Sequence, residues 1–186
     1  ARAGLLEEAI ATGERILERQ PNDIPALRNI AINYRELGDQ TGDAAHYLAG
    51  AEAVNRALAA VNPARTSDVR NLLQVALELY DRLDDATAMM EQYQTLYELT
   101  GDPAMLRSLY NLAIEQEDWP SATAALSGLM AVEPDDFHHP LAMAQVLRQA
   151  GQSAEALPFA EQALEIAPAE EQAAIAELIA LLNEES

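Results

Sequence analysis

The chain has 186 residues, 49% of them hydrophobic and 23% charged, enough to bury a core as one domain or one continuous array. Its net charge is −20, from 31 acidic and 11 basic residues, so it lacks the basic footprint that nucleic acid or an anionic membrane requires. It has no cysteine and no apolar run near the roughly 20 residues of a membrane-spanning helix, which excludes disulfides, thiol nucleophiles, Cys-based zinc sites and membrane insertion.

Every basic residue is Arg, and the abundance of Ala with few strand-favouring residues predicts helix throughout. The chain opens in mid-pattern at Ala1-Arg2-Ala3-Gly4, from which a fragment of a longer chain is expected. Residues 3–22 carry Ala9, Gly13, Ile16 and Arg19 before Pro21, one helix without its partner.

Residues 23–65 begin with the apolar stripe Leu27, Ile30, Ala31 and Tyr34. A turn is expected at Leu37-Gly38-Asp39, then a long second helix starting near residues 41–43, with Ala51, Asn55, Leu58 and Val61 ahead of Pro63. Residues 66–102 place Leu73, Ala76, Leu77 and Tyr80 on a first helix and Met89, Tyr93, Leu96 and Leu99 on a second, closed by Gly101.

The plainest unit is 103–136. Leu106, Leu109, Tyr110 and Ala113 form one stripe, Glu117-Asp118 a turn, and Pro120 a helix start where its missing N–H is harmless. Ala122, Leu126, Leu129 and Val132 form the second stripe before Pro134. Residues 137–170 repeat this with Met143, Ala144 and Leu147, Gly151 at the turn, then Ala156, Ala160, Ala163, Ile166 and Pro168. Ser153 is expected to cap the second helix, which loses a backbone hydrogen bond at Pro158. A capping helix over 169–184 presents Ile175, Leu178, Ile179 and Leu182 on one face, and Glu184-Glu185-Ser186 reads as a frayed end. About nine helices and no strand are expected.

Pro21, Pro63, Gly101, Pro134 and Pro168 close successive units at spacings of 42, 38, 33 and 34 residues, and such self-similarity marks a repeat array. The last two units resemble the tetratricopeptide-repeat family. That family's 34-residue signature has a large apolar residue at position 4 and Leu, Gly/Ala and Tyr-like residues at 7, 8 and 11. Ala at 20 and 27, a bulky apolar residue at 24 and Pro at 32 complete it. The resemblance extends over residues 3–168 and implies an all-α, right-handed solenoid of antiparallel helix pairs.

It also implies a concave groove, lined by first helices at positions 2, 5, 9, 12 and 13, that holds a peptide or partner helix. Those positions supply the candidate partner-binding residues Arg28, Arg35, Asn71, Glu78, Arg82, Arg107, Asn111, Gln145 and Arg148. Five of the 11 Arg fall in this set, so a partner with acidic groups is expected to meet Arg28, Arg35, Arg107 and Arg148 along one path. The opposing reading is self-pairing, with Glu78 and Arg82 at the favourable i, i+4 spacing. A carboxylate clamp known in one subfamily is half present, since Arg107 and Asn111 match it but Ala142 stands where Asn is required.

No phosphate loop, nucleophile elbow or metal-protease motif is present, so neither a cofactor nor an enzyme is expected. The Asp135-Asp136-Phe137-His138-His139-Pro140 run reads as an inter-repeat turn with helix capping, its adjacent His side chains diverging, and no metal is assigned to it. His46 is expected to be exposed or packed. A scaffold or adaptor for a protein segment is the leading expectation. The alternative is an assembly or regulatory tail of a larger enzyme or membrane-anchored machine, self-associating through the apolar N-terminal end left by the half repeat.

Overall fold

The computed structural model describes residues 2–185, and the described residues form ten α-helices and no strand. In order these are α1 (Arg2–Leu17), α2 (Ile24–Thr41), α3 (Ala44–Ala60), α4 (Thr66–Arg82), α5 (Ala86–Thr100), α6 (Pro103–Glu115), α7 (Trp119–Val132), α8 (His138–Gln149), α9 (Ser153–Ile166) and α10 (Ala169–Glu185). The expected count of about nine is one short. Two compact units divide the chain, one up to Leu99 and one from Thr100.

Helix starts are written by Asp. The carboxylates of Asp23, Asp43, Asp102 and Asp118 accept hydrogen bonds from the backbone N–H of Ala26, Ala45, Ala104 and Ser121. Each satisfies a donor that the first helical turn leaves unpaired. Proline occupies the first turn of α2, α6 and α7, where no hydrogen bond is lost. Within pairs, the N–H groups of Asp85, Asp118 and Gln152 donate to the carbonyls of Tyr80, Ala113 and Leu147. This closes α4, α6 and α8 with the same Schellman geometry, and the left-handed residue in each is Asp84, Glu117 or Gly151.

The turn after α2 lies elsewhere than expected. The helix continues through Leu37-Gly38-Asp39, with Leu37 and Gly38 buried, and ends at Gly42 in the left-handed conformation. Gly38 is an approach point: a Cβ there would sit 2.5 Å from the Tyr47 ring. α3 starts at Ala44 behind its Asp43 cap, as the long second helix requires.

In the first unit the core joins Leu27, Ile30 and Ala31 of α2, Val54 and Ala57 of α3, and Leu72, Ala76, Leu79 and Tyr80 of α4. Ala88 and Met89 of α5 pack against it. Buried Tyr80 keeps its hydroxyl satisfied by donating to Asn55 Oδ1 at 3.0 Å. α1 adds a smaller cluster, Leu6 and Ile10 against Leu37. In the second unit Leu106, Leu109, Leu126, Leu129 and Met143 are buried, and α10 seals one end with Ile175 and Leu182.

Alanine sets the spacing. Ala113, Ala122, Ala144, Ala156, Ala160 and Ala163 have no exposed surface, so the helices of a pair approach to near-backbone contact. Leu126→Ala should therefore cost about 2–5 kcal/mol as a cavity, and Ala122→Leu about 1–3 kcal/mol by overpacking. Ala173 is exposed, and its change to Leu should stay within about 0.5 kcal/mol. Urea unfolding of the three variants checks the order. An unchanged midpoint for Ala122→Leu would contradict the close crossing.

Candidate partner-binding site

In the first unit the expected site residues come from α2 (Arg28, Arg35) and α4 (Asn71, Glu78, Arg82). Spacings of seven and four residues keep each helix's set on one face. The C-terminal halves of the two helices are bound by charge. The Arg35 guanidinium pairs with the Glu78 carboxylate. Arg82 Nε donates to Asp39 Oδ1 at 3.0 Å, and Nη1 donates to Asp81 Oδ2 at 3.3 Å and to the Glu78 carbonyl at 3.2 Å. Tyr47 Oη adds a hydrogen bond to Asp39 at 3.0 Å. The Arg82 hydrogen bond holds the Asp39 carboxyl below its usual range, burial opposing and Tyr47 assisting, and Asp39 raises Arg82 in turn.

The Glu78–Arg82 side-chain pair of the self-pairing reading does not form. Glu78 turns its carboxylate to Arg35 across the helix–helix contact, which leaves Arg82 only the Glu78 carbonyl. Asp39, which lay inside the expected turn, is in fact helical, and from there it takes Arg82.

The N-terminal halves differ. Arg28 makes no hydrogen bond or ion pair with any described residue, and its Nε is buried without a partner. It lines a pocket of about 130 Å³ with Ile24, Pro25, Arg65, Asp68 and Leu72. Arg65 leads into α4 and reaches Asp68 Oδ2 at 2.9 Å. The slot thus holds two guanidinium groups against one carboxylate, over an apolar floor. Asn71 is exposed one turn along α4.

In the second unit Arg107 of α6 reaches both oxygens of Glu133 at 2.5 and 2.6 Å. The first basic residue of the half-present clamp is therefore already occupied. Arg148 of α8 grips Glu185 through Nε, at 3.0 and 3.1 Å, and Nη2, at 2.9 Å. Ser153 Oγ donates to the same carboxylate at 2.9 Å. Glu185 is thus helical and held, against the frayed end expected at Glu184-Glu185; Ser186 lies outside the described residues. Gln152, not Ser153, stands at the α9 N-cap, because the Ser153 side chain is committed to Glu185. Asn111 and Gln145 present exposed amides.

His138 and His139 do diverge. His138 Nδ1 lies 2.7 Å from Asp136 Oδ1, whereas the buried His139 turns Nε2 to Glu133 Oε2 at 2.8 Å and Asp136 Oδ2 at 3.6 Å. Sequence reasoning missed Glu133 because it lies beyond Pro134, although Glu133, Asp136 and His139 recur every third residue. The His139 hydrogen bond, then Arg107, holds Glu133 below the usual carboxylate range. His46 stacks on Tyr34 with ring centroids 6.1 Å apart.

A family model described as tetratricopeptide repeat matches residues 3–186. The chain belongs to the tetratricopeptide-repeat family. Among solved structures, similar chains include the MamA protein, at 15% identity over 91% of this chain and 86% of that one, with a TM-score of 0.49. BtubC from P. vanneervenii is 11% identical over 98% and 82%, with a TM-score of 0.44. The C-terminal part of a tetratricopeptide-repeat-containing protein from Cytophaga hutchinsonii is 15% identical over 96% and 80%, with a TM-score of 0.39. No curated protein matches the sequence. Membership makes this tetratricopeptide-repeat chain a protein-interaction scaffold in the general sense, and no helix among the described residues is long and apolar enough to cross a membrane.

The Glu185 lock has a pH signature. Arg148, then Ser153, lowers the folded-state pKa of Glu185. The resulting stability is complete above the ordinary Glu value of about 4.3 and is lost as pH falls through the lower folded value. Glu185→Gln should thus melt below the wild type at pH 7, and the gap should shrink toward pH 3. A gap of constant size would mean that the ion pair contributes nothing.

Proposed function

We propose that the face built by α2 and α4 binds a protein segment carrying a carboxylate, with Arg28 as its charged contact. The observation that carries this reading is the buried, unpartnered Arg28 Nε in a chain with 31 acidic residues. Buried donors are almost always satisfied, and an acceptor is worth most where one is missing. A guanidinium in a small slot matches a planar carboxylate by geometry as well as charge. Arg65 across the slot supplies a second cation, and exposed Asn71 an amide for the segment's backbone.

The other candidate Arg residues play a different part in this reading. Arg35, Arg82, Arg107 and Arg148 each hold a carboxylate of the chain itself, so they brace the repeats first. In the second unit the exposed amides of Asn111 and Gln145 remain for backbone hydrogen bonding to a partner. The role is binding, with no catalytic group assigned.

A second reading is favoured by α1. Leu5 and Ile16 are 66% and 42% exposed, beside a groove of about 400 Å³ that also includes Ala9 and Ala26. An apolar edge of this kind suits self-association or packing of a further helix, as an assembly tail requires.

Selection of short displayed peptides on the immobilised chain tests the first reading. Enriched peptides should carry Asp or Glu, and their affinity, measured by calorimetry, should fall with ionic strength. Arg28→Ala should weaken them at least about tenfold, or about 1.4 kcal/mol. Arg56→Ala should not, since Arg56 lies on α3 and donates to the Pro21 carbonyl. Peptides without acidic residues, or binding that survives Arg28→Ala and fails in Arg56→Ala, would place the working surface elsewhere.

A further inference from the structure

We infer that Glu133, Asp136 and His139 form a binding site for a divalent first-row transition metal of the zinc class, at the turn between α7 and α8. The three side chains gather one ligand atom each within 4.8 Å of one another. His139 Nε2 stands 2.8 Å from Glu133 Oε2 and 3.6 Å from Asp136 Oδ2. Zinc bonds of about 2.0–2.2 Å to imidazole nitrogen and carboxylate oxygen separate neighbouring ligand atoms by about 2.9–3.5 Å, whether the site is tetrahedral or octahedral. The two His139 separations are therefore close to what such a site needs, and the Glu133–Asp136 separation stays within 4.8 Å.

The surroundings argue the same way. Both carboxylates are held from outside. Arg107 Nη2 reaches Glu133 Oε1 at 2.5 Å and Oε2 at 2.6 Å, and the His138 N–H and Nδ1 lie 3.0 and 2.7 Å from Asp136 Oδ1. Such outer partners orient metal ligands; Asp136 Oδ2 is left facing the site, and Arg107 must shift toward Oε1 for Glu133 Oε2 to coordinate. His139 is nine-tenths buried, so its ring direction is set by packing. Access comes from an adjoining open pocket of about 560 Å³ lined by Arg107 and residues 132–138, through which water completes the coordination shell.

One imidazole with two carboxylates suits zinc and its neighbours better than calcium or magnesium, which prefer all-oxygen shells. A bound ion would staple the end of one helix pair to the start of the next. Arg107 would leave Glu133 Oε2 to the ion and keep Oε1, balancing the carboxylate from the far side.

The test uses the full chain, free of any affinity tag and stripped with a chelator, titrated with zinc chloride by calorimetry. One equivalent should bind with Kd on the order of 10 µM or tighter. Cobalt(II) should bind in its place and give a visible ligand-field spectrum. Glu133→Gln and His139→Gln should each weaken zinc at least about tenfold, while His46→Gln should leave it unchanged. Circular dichroism confirms that each variant is helical, and Asp136→Asn replaces any that is not. Binding weaker than about 1 mM in the wild type, several weak equivalents, or an affinity unaltered by Glu133→Gln would overturn the site.

Discussion

A single helix hairpin can hide only part of the apolar stripe on each of its helices. Within each unit a pair covers its remaining stripe against its neighbour, and that works only if the helices come close enough to exclude water. Fully buried alanines at the crossings, Ala122 and Ala156 among them, set that distance. Leu126 and Leu129 then fill the space that the small residues open. At one end α10 closes the stack with Ile175 and Leu182, and Arg148 ties its last turn to α8.

Net charge is the second constraint. With 31 acidic side chains against 11 Arg, five guanidinium groups, those of Arg35, Arg65, Arg82, Arg107 and Arg148, pair with a carboxylate among the described residues. The resulting pairs are largely solvated, so each stabilises weakly but selects geometry well. Arg35 and Arg82 join α4 to α2, Arg107 joins α6 to the end of α7, and Arg148 joins α8 to α10. Against that background a buried guanidinium nitrogen without an acceptor carries information, and Arg28 Nε is the case in point.

The helical stripes, the Pro terminators and the short turns were legible in the sequence because each is a local signal. Glu117-Asp118 before Pro120 and Gly151 after α8 are both read as turns from their chemistry alone. Gly38 misleads because the reason for it is tertiary. It is small to admit the Tyr47 ring, and the residue that needs freedom of φ is Gly42. Charge partners misled in the same way. The i, i+4 rule proposes Glu78 with Arg82, but Arg35 on the neighbouring helix competes for Glu78, and no single-helix rule contains that competitor. Glu133 escaped notice because a proline separates it from the histidines, whereas the turn brings it back beside them.

The brace and the slot on α2 and α4 belong together. Arg35–Glu78 and Arg82–Asp39 pin the C-terminal halves of the two helices. At the N-terminal halves, Arg28 and Arg65 line one slot as like charges, and only Asp68 lies between them in charge. A carboxylate arriving there would give Arg28 the acceptor it lacks and relieve the repulsion across the slot. That gain exists only while the far ends stay pinned, since helices free to splay would let both side chains swing into water. Loosening the brace at Asp39 should therefore weaken a ligand seated at Arg28 without touching it. The proposed site thus depends on residues that the chain uses for its own cohesion, and on that proposal the Arg excess of the first helices would serve both purposes.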